Sequence, residues 1–483
     1  MVVGEISQER ALVIIGGGPG GYTAAIRGAQ LGLSVTLIEQ VNMGGVCLHQ
    51  GCIPSKIFTH AAAKRSEISH LQELGIGGGE DEFNLKKLLA YKTTVIDGLR
   101  LGVESLCRDN KVEIIRGKAT FLEVDRIGVE NGHQFDIFEF DQAIIATGSS
   151  SIMPTGMIKK GNRILLAHDV FELEELPDHL IVLGDDYIAL EVASSYAELG
   201  AKVTILLDNK VSVPLDESID KELNRLFKKR KISVIKDAVL MSTNETDIGV
   251  SITIQTNKDG SETIQGTHLF VSGVRKPNVD MIGINRFGIA QTEEGFIKIN
   301  ENMQSSIPSI YAIGDVTEGQ LLAVKAIKQG KAAVEAIAGG SPEVDLTFVP
   351  VVVHTIPPIA SVGLTEQNTS DLGMKVRISK TNLRSNGYAA ISNKKDGFIK
   401  VISDSSTDII VGIHMIGEGA IEMAGTFVQL LEMVAKEEDI KFPSYAHPGF
   451  NESLLESVEG LIGQAIHIAP TKNKNFNPIL IDA

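Results

Sequence analysis

Cysteine is scarce in this chain, which has three cysteines in 483 residues. So few thiols exclude a secreted scaffold held together by several disulfides. Two of them, Cys47 and Cys52, are separated by only four residues in the segment GGVCLHQGCIPSK. Two thiolates cannot close a four-ligand zinc site and no nearby histidine completes one, so the spacing favours redox chemistry over a metal site or a pair of inert thiols. The third, Cys107, stands in the apolar context VESLC and is expected to be a buried bystander.

Long apolar runs and an excess of positive charge are also absent. No stretch approaches the ~20 apolar residues of a membrane-spanning helix. The start, MVVGEISQERALVIIGGG, lacks the basic region and cleavage site of a signal peptide. The formal net charge of −16 argues against nucleic acid or an anionic membrane as a partner. These absences lead us to expect a cytoplasmic protein.

Glycine and apolar residues are abundant, and they are arranged in an internal repeat. The 48 glycines and the apolar fraction of 43% suit an α/β enzyme of roughly two to four domains. The segment from 11 to 39, ALVIIGGGPGGYTAAIRGAQLGLSVTLIE, predicts a strand, a glycine turn, a helix and a second strand. The segment from 179 to 208, HLIVLGDDYIALEVASSYAELGAKVTILLD, has the same rhythm. Two nucleotide-binding units of the doubly wound type are therefore predicted.

The first copy of the repeat carries a dinucleotide fingerprint. Gly16, Gly18 and Gly21 satisfy G-x-G-x-x-G between an apolar strand and an alanine-rich helix. In this motif the first glycine makes the turn, the second lets the backbone approach a pyrophosphate and the third allows close helix packing. Glu39 ends the second strand, where an acid can accept hydrogen bonds from ribose hydroxyls. The glycines alone could form an ordinary turn, but together with the helix and the acid they predict a dinucleotide site.

Two later strands end in polar or glycine residues. The segment from 141 to 150 is an apolar strand that ends in Thr147 and Gly148, and the segment from 309 to 316 ends in Asp315. Ligands of doubly wound sheets bind at such carboxyl ends, although each could also be a simple strand exit. Beyond about residue 348, strands rich in valine and isoleucine are followed by predicted helices at 418 to 437 and 450 to 466. This change indicates a separate α+β domain.

Taken in order, these motifs resemble a known family. GGGPGG, GGVCLHQGCIPSK, ATGS, a second nucleotide unit, AIGDV, HTIPPIASVGLTE and AHPGFNE follow one another as they do in the flavin disulfide oxidoreductases. Within that family the match resembles the dihydrolipoamide dehydrogenases most closely, over roughly residues 9 to 470. The resemblance implies two doubly wound dinucleotide-binding domains and a C-terminal α+β dimerisation domain, in a homodimer. The implied boundaries are 1–150 and 275–348 for an FAD-binding domain, 151–274 for an NAD(P)-binding-like domain and 349–483 for the dimerisation domain.

The resemblance also implies catalytic roles. Cys47 would be the thiol that exchanges with the substrate, and Cys52 the thiol that passes electrons to FAD. Lys56, one helical turn beyond Cys52, would lie near the flavin and favour a thiolate, in preference to a solvated helix residue. His447 and Glu452 would form an acid–base dyad that serves the partner subunit's disulfide, although a histidine before a helix could also be a cap. The residues implied to bind FAD are Gly16, Gly18, Gly21, Glu39, Gly45, Lys56, Gly117, Thr147, Gly148, Ser149, Asp315, Leu322 and Ala323.

The second copy of the repeat departs from the family pattern. Asp186 replaces the glycine that admits a pyrophosphate, and it adds a negative charge. Leu207 stands where an acid should hold the ribose, and the adjacent Asp208 is expected to point to the other face of its strand. NAD is therefore expected to bind weakly, if at all. The residues that would contact it are Gly184, Ile188 and Glu191.

Three hypotheses follow. The first is an FAD-dependent enzyme similar to the dihydrolipoamide dehydrogenases, acting on a dithiol or a lipoyl group, for which NAD as acceptor is doubtful. Its partner would be a 2-oxoacid dehydrogenase or another lipoyl-protein complex. The second is a flavin disulfide reductase for a different thiol substrate or a non-NAD electron partner. The third is a non-catalytic flavoprotein subunit, which the retained cysteines and the dyad disfavour. The sequence predicts no role for residues 471–483.

Overall fold

A computed structural model describes residues 7–77, 82–207, 213–257, 260–273 and 275–468. The chain divides into two compact units, one made of residues 1–213 and 230–349 and the other of residues 214–229 and 350–483. The boundaries of the three domains given above stay a prediction, and residues 471–483 lie outside the described part. Among the helices described, none combines the length and the apolar character needed to cross a bilayer.

The first unit contains a seven-stranded sheet with the order β3-β2-β1-β6-β5-β4, in which β17 also pairs with β6. Its strands are β1 (Ser7–Ile15), β2 (Val35–Glu39), β3 (Glu113–Arg116), β4 (Lys118–Glu123), β5 (Arg126–Asn131), β6 (Gln134–Ile145) and β17 (Ile310–Ala312). The helices of this part are α1 (Pro19–Gln30), α2 (Gly45–His49), α3 (Cys52–Ser66), α4 (Ile68–Glu73), α5 (Leu85–Asp109) and α9 (Ala323–Ile337). Strands β3, β2, β1, β6 and β17 are parallel to one another. Their carboxyl ends consequently meet at one edge of the sheet, where a ligand can bind.

A second sheet of the same unit has the order β11-β10-β9-β15-β8 and is parallel throughout. Its strands are β8 (Ile164–Leu165), β9 (His179–Leu183), β10 (Lys202–Leu206), β11 (Ser233–Ile235) and β15 (His268–Val271), and its helices are α6 (Ala167–Val170) and α7 (Tyr187–Glu198). Beside it lie an antiparallel sheet of β12 (Val239–Thr246), β13 (Gly249–Thr256) and β14 (Gly260–Gly266), and a pair formed by β7 (Ser149–Ser151) and β16 (Arg275–Pro277).

The second unit is built on an antiparallel sheet with the order β18-β19-β22-β21-β20. Its strands are β18 (Val351–Val353), β19 (Ile359–Gly363), β20 (Val376–Asn382), β21 (Phe398–Asp404) and β22 (Ile410–Ile416). Its helices are α8 (Glu217–Lys229), α10 (Glu366–Asp371), α11 (Gly387–Ile391), α12 (Ala420–Glu432), α13 (Glu437–Lys441) and α14 (Glu452–Gly460). Strand β21 is almost wholly buried, which accounts for its apolar sequence.

The predicted fold class is confirmed, with two nucleotide-type sheets, one parallel throughout and one with a parallel part and the antiparallel strands β4 and β5, and with a C-terminal α+β part. The internal repeat consists of β1-α1-β2 in one copy and β9-α7-β10 in the other. Some helix bounds differ from the predictions. The helix predicted for 450 to 466 spans Glu452–Gly460. The helix predicted for 418 to 437 ends at Glu432, shortly before Val434, which adopts a positive φ of 54°.

Candidate active site

The first copy of the repeat forms an open cradle at the amino end of α1. Gly16 has a φ of 106°, and a Cβ on Gly21 would come within 1.8 Å of the Gly16 carbonyl oxygen. Only glycine therefore fits at these two positions. Gly18 precedes α1, and no side chain caps the first amides of that helix. Glu39 is buried at the end of β2, where its carboxylate accepts a hydrogen bond from the Gly17 amide at 2.7 Å.

A cavity of about 600 Å³ opens beside this cradle, within the first unit. It brings together most of the predicted site residues, namely Gly16, Gly18, Glu39, Gly45, Cys47, Cys52, Lys56, Gly117, Thr147, Gly148, Ser149, Ile188, Glu191, Asp315 and Ala323. Among the residues predicted to bind FAD or NAD, three are not part of its lining. Gly21 serves the packing of α1, Leu322 is the residue before α9, and Gly184 forms the turn after β9.

The residues of this cavity fit FAD. The uncapped amides of α1 are suited to a pyrophosphate, because a helix amino terminus attracts anions. A Cβ on Gly45 would lie 2.7 Å from the Gly18 Cα, so these two glycines give the cradle its depth. Glu39 and Asp315 both line the cavity and supply acceptors for hydroxyl groups of the cofactor.

Cys47 and Cys52 form a disulfide, and both residues line the same cavity. Their Cα atoms are 4.7 Å apart. Cys47 lies in the short helix α2 and Cys52 is the first residue of α3, so the positive end of the α3 dipole faces the Cys52 sulfur. This position favours a thiolate when the disulfide is reduced. Cys107 is fully buried, and burial raises the pKa of its thiol to about 11.

Lys56 and Ser55 bind a buried carboxylate of the second nucleotide unit. Glu191 lies in α7 with no exposed side-chain surface. Lys56 Nζ donates to its two oxygens at 2.7 and 2.8 Å, and Ser55 Oγ donates at 2.5 Å. Helix α3 packs along α7, and Phe58 stacks on Tyr196 with ring centroids 5.6 Å apart. Helix α3, which begins at Cys52, is thereby fixed to the second copy of the repeat.

Asp315 is held by a hydrogen-bonded network. Ser149 Oγ donates to Asp315 Oδ2 at 2.9 Å. Arg275 donates in turn to the hydroxyl and the carbonyl oxygen of Ser149, both at 2.9 Å. Arg275, Ser55 and Tyr187 also line the cavity and are not predicted from the sequence. Ser55 lies within the cysteine motif and Tyr187 within the second copy of the repeat, but neither motif assigns these two positions a role, and Arg275 lies in no motif. Their positions in the fold identify them.

Helix α9 fixes the loop that follows β17. Gln329 Oε1 accepts a hydrogen bond from the Gly314 amide at 2.8 Å. Lys325 is buried and donates to the carbonyl oxygens of Thr317 and Glu318, both at 3.0 Å. Burial lowers the pKa of Lys325 to about 8. These contacts position the loop that carries Asp315 toward the cavity.

The second copy of the repeat keeps the turn but fills the amino end of its helix. Gly184 has a φ of 135°, comparable with that of Gly16. The carboxylate of Asp186 accepts a hydrogen bond from the Ala189 amide at 2.8 Å and caps α7. Ser272 Oγ lies 2.8 Å from both oxygens of that carboxylate. Burial raises the pKa of Asp186, although these two hydrogen bonds act in the opposite direction.

The ribose position of the second copy is apolar. Leu207 directly follows β10, as the sequence predicts, and offers no acceptor to a hydroxyl group. Asp208 lies outside the described residues. The residues of this copy therefore do not fit NAD as those of the first copy fit FAD.

His447 and Glu452 form a pair in the second unit. His447 Nδ1 lies 2.7 Å from Glu452 Oε1, and the other carboxylate oxygen accepts from the Gly449 amide at 2.9 Å. A carboxylate can only accept, so Nδ1 carries a hydrogen. The hydrogen bond from His447 lowers the pKa of Glu452. The His447 side chain is 81% exposed, so its imidazole is accessible from outside.

Comparison with known proteins identifies the class. The family described as pyridine nucleotide-disulphide oxidoreductase matches residues 10–330, and the dimerisation domain of the same family matches residues 349–458. The chain belongs to the pyridine nucleotide-disulphide oxidoreductase family. It is accordingly an enzyme that acts on sulfur groups, in a family whose cofactors are FAD and NAD. The dimerisation domain supports a homodimer.

Several of the similar proteins carry the name dihydrolipoyl dehydrogenase. The chain is 37% identical to dihydrolipoyl dehydrogenase of Geobacillus stearothermophilus, over 97% of this chain and 99% of that protein. It is 35% identical to the Bacillus subtilis protein of that name, over 97% of this chain and 100% of that protein. The solved structure of LpdA from Mycobacterium tuberculosis superposes with a TM-score of 0.86 at 26% identity, over 94% of this chain and 99% of that chain. These relatives confirm the resemblance inferred from the motifs.

Proposed function

We propose that the protein oxidises a dithiol of the dihydrolipoyl type and passes its electrons through Cys47 and Cys52 to FAD. The observation that carries this proposal is the Cys47–Cys52 disulfide in the wall of the cavity beside the cradle of α1. A disulfide next to a flavin site can accept two electrons from a dithiol and transmit them. The dihydrolipoyl dehydrogenases at 35 and 37% identity support this class of substrate.

The thiol exchange needs one attacking sulfur and one leaving sulfur. A thiolate of the substrate attacks Cys47 Sγ, and the Cys47–Cys52 bond breaks with its electron pair on Cys52. The second substrate thiol loses its proton and attacks the sulfur bound to Cys47, which releases the oxidised substrate as a cyclic disulfide. Both cysteines are then reduced. Lys56 and the amino end of α3 favour the Cys52 thiolate that leaves in the first step.

His447 is the base proposed for the second step. Glu452 holds Nδ1–H, so Nε2 can take the proton of the substrate thiol and return it in the reverse reaction. The exposure of His447 supports the proposal that it serves the partner subunit's Cys47–Cys52 in a homodimer. An isolated protomer would then lack a complete active site.

FAD, when bound in the cavity, accepts the two electrons from the reduced cysteines. The residues proposed to hold it are those of the α1 cradle together with Glu39, Ser149 and Asp315. The partner proposed for the reaction is a lipoyl group, either free or carried by a protein of a 2-oxoacid dehydrogenase or related complex. We also propose a cytoplasmic location.

Comparison of substrates tests the proposal. Dihydrolipoamide, reduced glutathione and reduced coenzyme A are each mixed without oxygen with the FAD-loaded protein, and flavin absorbance is followed. We expect dihydrolipoamide to reduce the flavin fastest, because its second thiol releases the mixed disulfide intramolecularly. A monothiol that reduces the flavin faster would overturn the proposed substrate class.

A further inference from the structure

The two nucleotide units of this chain have the same architecture and differ at one helix end. Gly16 and Gly184 occupy equivalent places after the first strand of each copy, and both have φ values in the left-handed region, 106° and 135°. The helices α1 and α7 then begin after Gly18 and Asp186, respectively. The turn is therefore retained in the second copy, and the difference lies in the residue before the helix.

That residue decides what the first amides of the helix bind. Gly18 offers no side chain, and no side-chain cap is present on α1. Asp186 places a carboxylate at the same point of α7, where it accepts from the Ala189 amide at 2.8 Å. Ser272, which follows β15, holds both carboxylate oxygens at 2.8 Å. Amides at a helix amino terminus are the groups that bind the pyrophosphate in dinucleotide folds.

We infer that Asp186 is a specificity-determining residue that excludes a dinucleotide pyrophosphate from the second nucleotide unit, because its own carboxylate occupies the phosphate position. The inference concerns the electron acceptor and therefore rests on the proposed function. A nicotinamide dinucleotide would then be a poor ligand of the second copy of the repeat, while the open cradle of the first copy is free to bind FAD.

The charges around Asp186 strengthen the exclusion. Asp185 precedes it in the chain, and Glu191 follows in the same helix. Burial raises the pKa of Asp186 most, and the negative charges of Asp185 and Glu191 raise it further. Arg275 is the positive charge that acts on Tyr187, the residue after Asp186. Its guanidinium group donates hydrogen bonds to Ser149 and not to Asp186. A phosphate at this helix end would meet the carboxylate of Asp186, beside that of Asp185, and its approach would also break the cap of α7.

The second copy of the repeat also lacks the carboxylate that would accept hydrogen bonds from the ribose. Glu39 ends β2 in the first copy, whereas Leu207 holds the equivalent place after β10. A nucleotide in the second copy would therefore lack the acceptor for its ribose hydroxyls. We expect the affinity for NADH to be at least about a hundredfold below that of a variant with both positions restored, which corresponds to about 2.8 kcal/mol.

Titration of NADH into the FAD-loaded protein tests the inference, with calorimetry as the readout. Asp186→Gly should tighten binding, and Asp186→Gly combined with Leu207→Glu should reach the hundredfold gain. Asp186→Asn is the matched variant that keeps a helix cap and removes the charge, so it should recover only part of the gain. Asp185→Asn removes a neighbouring charge without opening the helix end and should change the affinity by less than Asp186→Asn does.

The first copy of the repeat offers the reciprocal experiment. A Cβ on Gly18 would lie 4.0 Å from its nearest neighbour, the Gly45 Cα, and Gly18 has a φ of −70°. Gly18→Asp should therefore fold, and its carboxylate should exclude FAD from α1. We expect unchanged far-ultraviolet circular dichroism and at least a tenfold loss of bound FAD. Full retention of FAD in this variant would contradict the exclusion by a carboxylate.

Two further results would overturn the inference. One is micromolar binding of NADH to the unmodified protein, and the other is equal NADH affinity in the unmodified protein and in Asp186→Gly. Neither outcome depends on which thiol the enzyme oxidises. If dihydrolipoamide fails to reduce the flavin while NADH binding follows the pattern above, the proposed substrate is wrong and the role of Asp186 stands.

Discussion

The ammonium group of Lys56 is bound by both oxygens of Glu191, a carboxylate with no exposed surface in the second nucleotide unit. Ser55 donates to the same carboxylate at 2.5 Å, so two successive residues of α3 are held by one side chain. Glu191 thereby sets where the positive charge of Lys56 lies relative to the disulfide. A charge at a fixed place stabilises a thiolate more than a mobile one does, because no reorganisation is needed when the thiolate forms.

The first prediction concerns Glu191→Gln. Hydrogen bonds to charged groups contribute roughly 1.5–3 kcal/mol, so the reduction of bound flavin by dihydrolipoamide should slow roughly ten- to hundredfold. Stopped-flow absorbance measures this rate. The control is Ser195→Ala in the same helix, whose hydroxyl donates to the Glu191 backbone oxygen at 2.7 Å. An equal slowing in both variants would assign Glu191 a structural role only.

The second prediction distinguishes the two cysteines. After reduction by two electrons, the Cys52 thiolate should lie against the oxidised flavin and give a long-wavelength absorption band. Cys47→Ser should keep this band and Cys52→Ser should lose it. Anaerobic titration with dithionite, followed in the visible range, provides the measurement. A band in both single variants would reject the assigned roles.

The third prediction concerns the dimer. If His447 serves the partner subunit's disulfide, protomers with Cys47→Ser and protomers with His447→Ala should form heterodimers with one intact active site. In an equal mixture of the two variants, random exchange makes half of the dimers heterodimers. Each heterodimer has one intact active site out of two, so the mixture should approach a quarter of the unmodified activity. Mass spectrometry verifies the exchange. Activity no higher than in either parent would mean that the dyad acts within its own chain.

The fourth prediction is an acid-sensitive ion pair in the second unit. Lys400 Nζ lies 2.8 and 2.9 Å from the two oxygens of Asp216, and both side chains are buried. Burial alone would raise the pKa of Asp216, but the hydrogen bonds from Lys400, Ser218 and the Glu366 amide hold that pKa well below its usual range. A carboxyl group with a lowered pKa in the folded state stabilises the fold above its unfolded pKa, and this contribution is lost as the pH falls below about 4.

Asp216→Asn should therefore lower the free energy of unfolding at pH 7, because it leaves the buried Lys400 with Glu366 Oε2, at 2.6 Å, as its remaining charged partner. The loss should be smaller than the about 3–5 kcal/mol expected when a buried charge loses every partner. The same variant should lose less stability than the unmodified protein between about pH 4 and pH 2. Urea unfolding at several pH values measures both effects. Asp216→Asn with Lys400→Met is the control, since removal of both charges should restore part of the lost stability. Identical acid sensitivity in all three proteins would refute this role of the pair.

The sequence predicts the parts of the site that depend on residues close together in the chain. The cradle needs the glycines at 16, 18 and 21 between a strand and a helix, and the disulfide needs two cysteines close together in the chain, here separated by four residues. Both depend on local geometry, so their motifs indicate the elements around them. The family resemblance adds Lys56 and the dyad, although the roles of these residues stay predictions.

The contacts that fix the site are not visible in the sequence because their partners are far apart. Ser272 lies 86 positions from Asp186, and Glu191 lies 136 positions from Ser55. The sequence indicates that Asp186 departs from the fingerprint. It does not indicate that Ser272, which follows β15, binds both oxygens of this carboxylate.

Anaerobic mixing of the FAD-loaded protein with dihydrolipoamide tests most directly whether the cysteine pair carries electrons from a dithiol to FAD. The measurement is the rate of loss of flavin absorbance in a stopped-flow instrument, for the unmodified protein and for the variant with both Cys47→Ser and Cys52→Ser. We expect rapid reduction in the unmodified protein and at least about a thousandfold slower reduction in the double variant, a difference of about 4 kcal/mol in the barrier. Equal rates in the two proteins would show that electrons reach FAD without the disulfide and would contradict the account.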